Sequence, residues 1–450
     1  MKLTVPPLEI DCNEGFSSGK DIFERERFGR NIFNIIENVK DELVIAVDAP
    51  WGEGKTTFIK MWRGMLSKEG IESIYFDAFE NDYQIDPFLA IAAEIYSIID
   101  DDRHDAKLQF KMKTISAMKT LGKVSLRVGI KAATAGILDE TIFDDTNTIK
   151  DVSKEASDLV DSYVSKKLEN AKRDKKNLFE FKKSLDVLAS NIGKDKPLVF
   201  IVDELDRCKP PFALAILENI KHLFSVKNIV FVLVMNRTQI EESIKCEYGA
   251  GVEASKYLQK FVHLWASLPK NKSECKCDGE NYVLDCLERM NFSAETQAQN
   301  IAIKTYKQLV THYDLSFREI ERSLTNYSLL HNMTAGRESE CLQLMFVYLS
   351  IIKVIEPEIY SRISNGNIDY EELLNKTNLN TLEDEQWLSN YFIDRHPIKF
   401  LLHYCLSNEE EFENHVRQSI EVLNYKRIFP NQSRRILETS CKWMNTFEAI

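Results

Sequence analysis

Glycine and proline are scarce, 16 and 11 in 450 residues, which excludes collagen-like and low-complexity chains. No uninterrupted apolar run reaches the roughly 18 residues that a spanning helix needs. The first residues, Met1-Lys2-Leu3-Thr4-Val5-Pro6-Pro7, lack the apolar stretch of a secretory signal. Positive charge is in deficit: 58 Lys and Arg against 70 Asp and Glu leave a net charge of −12. Such a chain is not a uniformly cationic nucleic-acid sleeve, although a local basic face is compatible with it. A disulfide framework is also missing. The nine cysteines are odd in number and irregularly spaced, which fits a reducing compartment, and the expected location is the cytoplasm. What the chain does have is 44% hydrophobic and 10% aromatic residues, enough for large cores; at about 150 residues per unit, two or three units are expected.

Short apolar runs punctuate the first 270 residues: Leu43–Val47, Ile74–Phe76, Leu198–Val202 and Ile229–Val234. Continuous runs of this kind suit strands covered on both faces, as in parallel sheets. Helix-like periodicity lies between them, from Phe28 to Ile36, Thr56 to Leu66 and Phe212 to Phe224, and Tyr257 to Leu268 reads as a last helix end and strand. The alternation predicts an α/β domain with a mostly parallel sheet. Residues 1 to about 28 read as a leading arm, about 86–196 as a long helical insertion, and everything after Pro269 as helical. The hydrophilic stretch Lys270–Glu280 is the clearest boundary. The expected units are 1–270, 271–335 and 336–450.

Asp48-Ala49-Pro50-Trp51-Gly52-Glu53-Gly54-Lys55-Thr56-Thr57 sits between the first strand and a helix, which is the context of a P-loop. Gly52 and Gly54 let the backbone wrap phosphate oxygens, and the helix start presents its N–H groups to the anion. The expected cradle is Pro50 to Thr57. Within it Lys55 reaches the β- and γ-phosphates, Thr56 holds Mg²⁺ and Thr57 supports the α-phosphate. Ala49 replaces the usual first glycine. A buried strand further on ends in Asp203-Glu204-Leu205-Asp206-Arg207, 148 positions after Lys55. Asp203 is the expected second Mg²⁺ residue, and Glu204 the group that polarises the attacking water. Asn236, after the strand ending in Met235, is a candidate γ-phosphate sensor, with Arg237 a second. Arg318 and Arg322 share one helix face, and one of them could reach the nucleotide. Glu204 offers a base and no acceptor-substrate motif is present, which favours transfer to water. No guanine-reading motif is present, which favours ATP.

Residues 103–131 hold eight Lys or Arg and one acid, a local +7. Lys119, Lys123, Arg127 and Lys131 recur every four residues. DNA, an anionic membrane surface, or simple pairing with acids such as Asp100–Asp102 are all open readings. Cys275-Lys276-Cys277 and the group His396, His403, Cys405 and His415 lack zinc spacing.

With these residues in view, the chain resembles the KAP family of P-loop NTPases, which is named after a neuronal membrane scaffold and a phage-exclusion protein. Pro50-Trp51-Gly52-Glu53-Gly54-Lys55-Thr56-Thr57 is similar to the family's P-loop. Phe76-Asp77-Ala78-Phe79-Glu80 with Pro87 is similar to its aromatic block, Phe79 standing where tryptophan is usual. Asp203 to Cys208 resembles its acidic signature, with Glu204 where a second aspartate is common. Tyr257-Leu258-Gln259-Lys260, Leu268-Pro269 and Phe317 to Arg322 complete a resemblance over about 15–335. It implies an ATPase with Lys55, Glu204, Asn236 and Arg318 at the reaction, ATP and Mg²⁺ as ligand and cofactor, and a helical lid over 271–335. It also implies a switch that works with a protein partner encoded nearby or as a homo-oligomer, in prokaryotic defence against phage or mobile DNA. A non-hydrolysing ATP-bound scaffold and a DNA-binding ATPase are the alternatives. Many family members carry two transmembrane helices between the nucleotide motifs. Here the nearest candidate, Leu121–Leu138, holds Lys123, Arg127 and Lys131, so a soluble member is expected.

Overall fold

Five stretches form one parallel sheet in the computed structural model. It describes all residues except 12, 18, 40, 85, 100–103, 135–152, 195, 274, 275, 335–338, 384–395, 409, 411–434 and 447–450. Over 122–134 and 153–168, and at 170, 273 and 276, the backbone alone is described. The chain runs α1 (Glu26–Glu37), β1 (Leu43–Asp48), α2 (Lys55–Lys68), β2 (Ser73–Asp77), α3 (Pro87–Ser97), α4 (His104–Thr134), α5 (Ser153–Gly193), β3 (Leu198–Asp203), α6 (Pro210–Asn219), β4 (Ile229–Met235), α7 (Arg237–Tyr248), α8 (Ala254–Leu258) and β5 (Leu264–Ser267). Strand order is β2-β3-β4-β1-β5, and every pairing is parallel.

The strand residues alternate between two cores. Ala46, Phe200, Val202, Phe231 and Leu233 face one core with α3 to α6. Ile45, Val47, Ile201, Val232 and Val234 face the other with α1 and α2. Because both faces are covered, β3 and β4 are buried throughout, and their sequences read as continuous apolar runs. Parallel pairing puts the ends of β1, β3 and β4 on one sheet edge, where ligands of such sheets sit. The insertion forms α3 and an α4–α5 hairpin joined by Phe110 against Phe181 (5.9 Å) and Lys113 with Glu180 (2.5 Å). Of the basic stripe, Lys119 is on α4; Arg103 and the side chains of Lys123, Arg127 and Lys131 lie outside the described residues.

The hydrophilic stretch that begins at Lys270 carries local structure. Lys272–Ser273 (β6) and Lys276–Cys277 (β7) make a two-stranded antiparallel hairpin, and α9 (Asp278–Arg289) starts at once. The reason is a buried carboxylate: Asp278 accepts from the Asn271 backbone N–H at 2.9 Å and from its amide at 3.3 Å. Hydrophilic residues are here ordered by local hydrogen bonds, which an apolar-pattern reading does not see. Then follow α10 (Gln297–His312), α11 (Phe317–Met333), α12 (Glu340–Ile355), α13 (Pro357–Ser364), α14 (Tyr370–Lys376), α15 (Pro397–Leu406) and α16 (Ile436–Thr446). One buried cluster runs through them from Val283 to Met444. α12 is buried on all sides from Gln343 to Ile352, as befits a helix apolar all round. Among the described residues, no helix is long and apolar enough to cross a membrane.

The leading arm ties these parts together. Lys2 donates its N–H to the Met290 carbonyl (2.7 Å), and Arg289 donates to the Pro6 carbonyl (2.6 Å). Further on, Phe16 packs on Phe58 of α2 with ring centres 5.9 Å apart.

Candidate functional site

The turn between β1 and α2 places Gly52 (φ 85°) and Gly54 (φ 72°) in the left-handed region, which glycine adopts without strain. Ala49 is not among the residues of positive φ, so alanine is tolerated where a glycine is usual. Asp86, Thr296 and Ser316 close the starts of α3, α10 and α11 with side-chain hydrogen bonds, whereas α2 has no such cap. Its first N–H groups are therefore left to an anion. The Lys55 ammonium donates to the carbonyls of Ala49 (2.7 Å) and Pro50 (3.2 Å) and lies 3.9 Å from the Asp206 carboxylate. Burial pulls its pKa below the usual lysine range.

At the neighbouring strand end Asp203 is fully buried. Its carboxylate accepts from the Glu204 backbone N–H (2.8 Å), the Tyr75 hydroxyl (3.1 Å) and the Thr56 hydroxyl. Burial pushes its pKa up, and the three hydrogen bonds act against that rise. Thr56 and Asp203 are thus in contact, a pair of hard oxygen donors of the type magnesium takes. Glu204 sits at φ 58°, ψ 26°, a left-handed conformation that costs a non-glycine residue about 1–2 kcal/mol. It is held there by the Arg207 N–H on its carbonyl (3.1 Å) and by the Arg207 guanidinium on its carboxylate (2.8 Å). Burial raises the Glu204 pKa, and Arg207 opposes the rise.

These groups share a cavity of about 510 Å³. Its walls include Trp51, Gly52, Gly54, Lys55, Thr56, Thr57, Asp203, Glu204 and Arg318, so motifs far apart in sequence converge. Other sequence-stated candidates lie outside the wall. The Pro50 carbonyl serves Lys55. Glu53 turns its side chain to Lys270 (2.9 Å). Asn236 caps α7 by accepting from the Thr238 N–H (3.1 Å). Arg237 pairs with Glu241 (2.8 Å), and Arg322 is one turn beyond Arg318. Among the described residues Arg318 pairs with no carboxylate.

Sequence reasoning missed the rest of the wall. Pro7, Leu8, Phe16, Ile22 and Phe23 of the arm, with Tyr282, Asp285 and Arg289 of α9, line the same cavity. Tyr282, Asp285 and Arg289 fall at helical spacing on one face, the one signal available; the arm residues carry none. Arg25 was also missed. It is buried, donates to the carbonyls of Glu53 (3.0 Å) and Pro269 (3.2 and 3.0 Å), and stacks on Phe23 and Phe317. Burial pulls its pKa down to about 10.

The family model described as the KAP family P-loop domain matches residues 25–334. No curated protein matches the chain. A solved structure of the Aeropyrum pernix ORC2 protein in ADPNP and ADP complexes is similar over 98% of this chain and 96% of that one, at 13% identity and a TM-score of 0.36.

Proposed function

From the premise that this chain belongs to the KAP family of P-loop NTPase domains, we propose that it binds ATP with Mg²⁺ in the cavity between the P-loop and α11 and transfers the γ-phosphate to water. Membership carries nucleotide binding and hydrolysis as the coarse function; the residue roles are our reading. The observation that carries it is the convergence of Lys55, Thr56, Asp203, Glu204 and Arg318 on one cavity. The uncapped start of α2 and the glycine turn fit a triphosphate, and the Thr56–Asp203 pair fits magnesium. Bound there, the metal would neutralise phosphate charge. Lys55 exchanges its two carbonyl partners for phosphate oxygens, Glu204 orients and polarises the water, and Arg318 neutralises charge from the side of α11. The walls supplied by the arm and α9 would take the base and sugar.

The wider role rests on the family resemblance. We read the chain as a cytoplasmic switch whose nucleotide state is relayed from a core (1–270) through a lid (271–335) to the helices beyond (336–450) and on to a protein partner, in prokaryotic defence. Calorimetric ATP titration with a phosphate-release assay tests the core of the reading. Lys55→Ala should lose ATP binding, and Glu204→Gln should keep binding and lose release. ATP binding without release in the unaltered protein, with partner and DNA present, would favour the scaffold alternative.

A further inference from the structure

Arg318, the cation that α11 brings to the cavity, depends on how α11 is seated. Besides Arg25, which holds the Glu53 carbonyl and stacks on Phe317, two contacts seat it on the P-loop. The first is steric: a Cβ on Gly52 would stand 2.8 Å from Arg318 Cβ and 3.1 Å from Ser316 Oγ, so the helix start rests on bare backbone. The second is ionic. Glu53 stands between the two P-loop glycines, yet its carboxylate points away from the cavity to the Lys270 ammonium, 2.9 Å away. The same ammonium donates to the Leu315 carbonyl at 3.0 Å and lies 3.4 Å from the Asp314 carboxylate. Asp314 and Leu315 immediately precede Ser316, which caps α11.

Lys270 and Glu53 are nearly buried, their side chains 15% and 10% exposed. The second Glu53 oxygen is buried without a partner, so Lys270 supplies the one hydrogen-bonded ion pair this carboxylate makes among the described residues. Glu53, Asp314 and the Leu315 carbonyl are all acceptors and cannot hold one another; a donor has to stand between them, and Lys270 is that donor. Lys272 also pairs with Asp314, at 2.5 Å, but it is exposed. Removing the Lys270 charge would leave a buried carboxylate unpaired and two acids facing each other across the joint.

We propose that Lys270 is a positioning residue for the nucleotide reaction, joining the P-loop through Glu53 to the start of α11 and so setting Arg318 over the phosphates. This rests on the reading above, that the cavity holds ATP and that Arg318 meets it. The cradle's conformation and the lid's orientation are then one variable. An anion that reshapes the turn at Glu53 moves Lys270, and Lys270 moves α11.

The test compares the full chain with Lys270→Met, Lys270→Arg, Arg318→Ala and the Lys270→Met/Arg318→Ala double variant, each checked for folding by thermal melting. Misplacing a reacting group by about 1 Å can cost on the order of 10²-fold, so Lys270→Met should lower kcat about tenfold or more. The double variant should be no slower than the slower single one, and Lys270→Arg should recover most of the loss. Hydrogen exchange gives a readout that needs no turnover. ATP should slow exchange over residues 316–323 in the unaltered chain and not in Lys270→Met. Equal slowing in both, multiplied losses in the double variant, or a lowered melting temperature with unchanged kcat each overturns the proposal. Lys55→Ala measured alongside separates the two levels. If it still binds ATP, the nucleotide reading fails, and this proposal with it. If it loses ATP while Lys270→Met behaves as the unaltered chain, only the proposal fails.

Discussion

The indole N–H of Trp51 donates to the Asp206 carboxylate at 2.5 Å, across 155 positions of sequence. The P-loop is thereby fastened to the turn that carries Asp203 and Glu204. The same carboxylate oxygen lies 3.9 Å from the Lys55 ammonium, and its other oxygen is buried without a partner. A carboxylate beside Lys55 opposes an arriving phosphate by like charge. Asp206→Asn keeps the shape and an acceptor for Trp51 while removing the charge. ATP should bind about fivefold more tightly, which corresponds to roughly 1 kcal/mol of relieved repulsion. Calorimetry checks it; unchanged or weaker binding would show that the charge does not compete with phosphate.

Glu204 is held in a left-handed conformation by its own neighbours, Arg207 above all. Glu204→Gln preserves size and hydrogen-bonding shape but not basicity. The phosphate-release rate should fall by about 10²–10⁴, the usual worth of a positioned general base, with ATP affinity changed by less than about threefold. A rate near that of the unaltered protein would remove Glu204 from the reaction.

Asp203 should cost the protein stability. Burial raises its folded-state pKa above the ordinary 3.8. Between those two values the folded state holds the proton that the unfolded state has released, so stability is lost as pH rises through that interval. Asp203→Asn removes the penalty. At pH 7 the variant should melt about 1 °C higher, the response to roughly 1 kcal/mol in a protein of this size, while Mg²⁺-dependent turnover collapses. The difference in melting temperature should close as pH is lowered towards 4. A variant that melts lower at pH 7 would mean that the Thr56 and Tyr75 hydrogen bonds outweigh the buried charge.

The sheet was legible because burial on both faces writes itself into sequence. Val199 to Val202 and Val230 to Val234 are apolar whichever face they point to. Lys55 and Thr56 were legible because they open a helix after a glycine turn, and Asp203 because it ends a strand, positions that local pattern marks. Tyr75 was not: its hydroxyl reaches Asp203 only because β2 and β3 pair in parallel with Asp77 opposite Asp203, and pairing register is not visible in a single strand. Nor were Arg25, Lys270 and the arm residues. Their partners are backbone carbonyls and neighbours hundreds of positions away, and a carbonyl has no sequence signature.

Arg25 shows how much such unseen contacts carry. Its guanidinium satisfies the carbonyls of Glu53 and Pro269 from one planar fork while lying 4.8 Å over the Phe23 ring and 5.6 Å over the Phe317 ring. Arg25→Met should keep much of the packing and lose both carbonyl partners, at about 2–3 kcal/mol, or roughly 2–3 °C in melting temperature. Arg25→Lys should recover only part of this, because an ammonium on a flexible stem cannot reproduce the fork. Since the two carbonyls belong to the P-loop and to the segment that leads into Lys270, the loss should not be confined to stability. ATP affinity should fall with it, and added ATP should raise the melting temperature of Arg25→Met less than that of the unaltered chain. An equal rise in both would mean that Arg25 braces the fold without bracing the cavity.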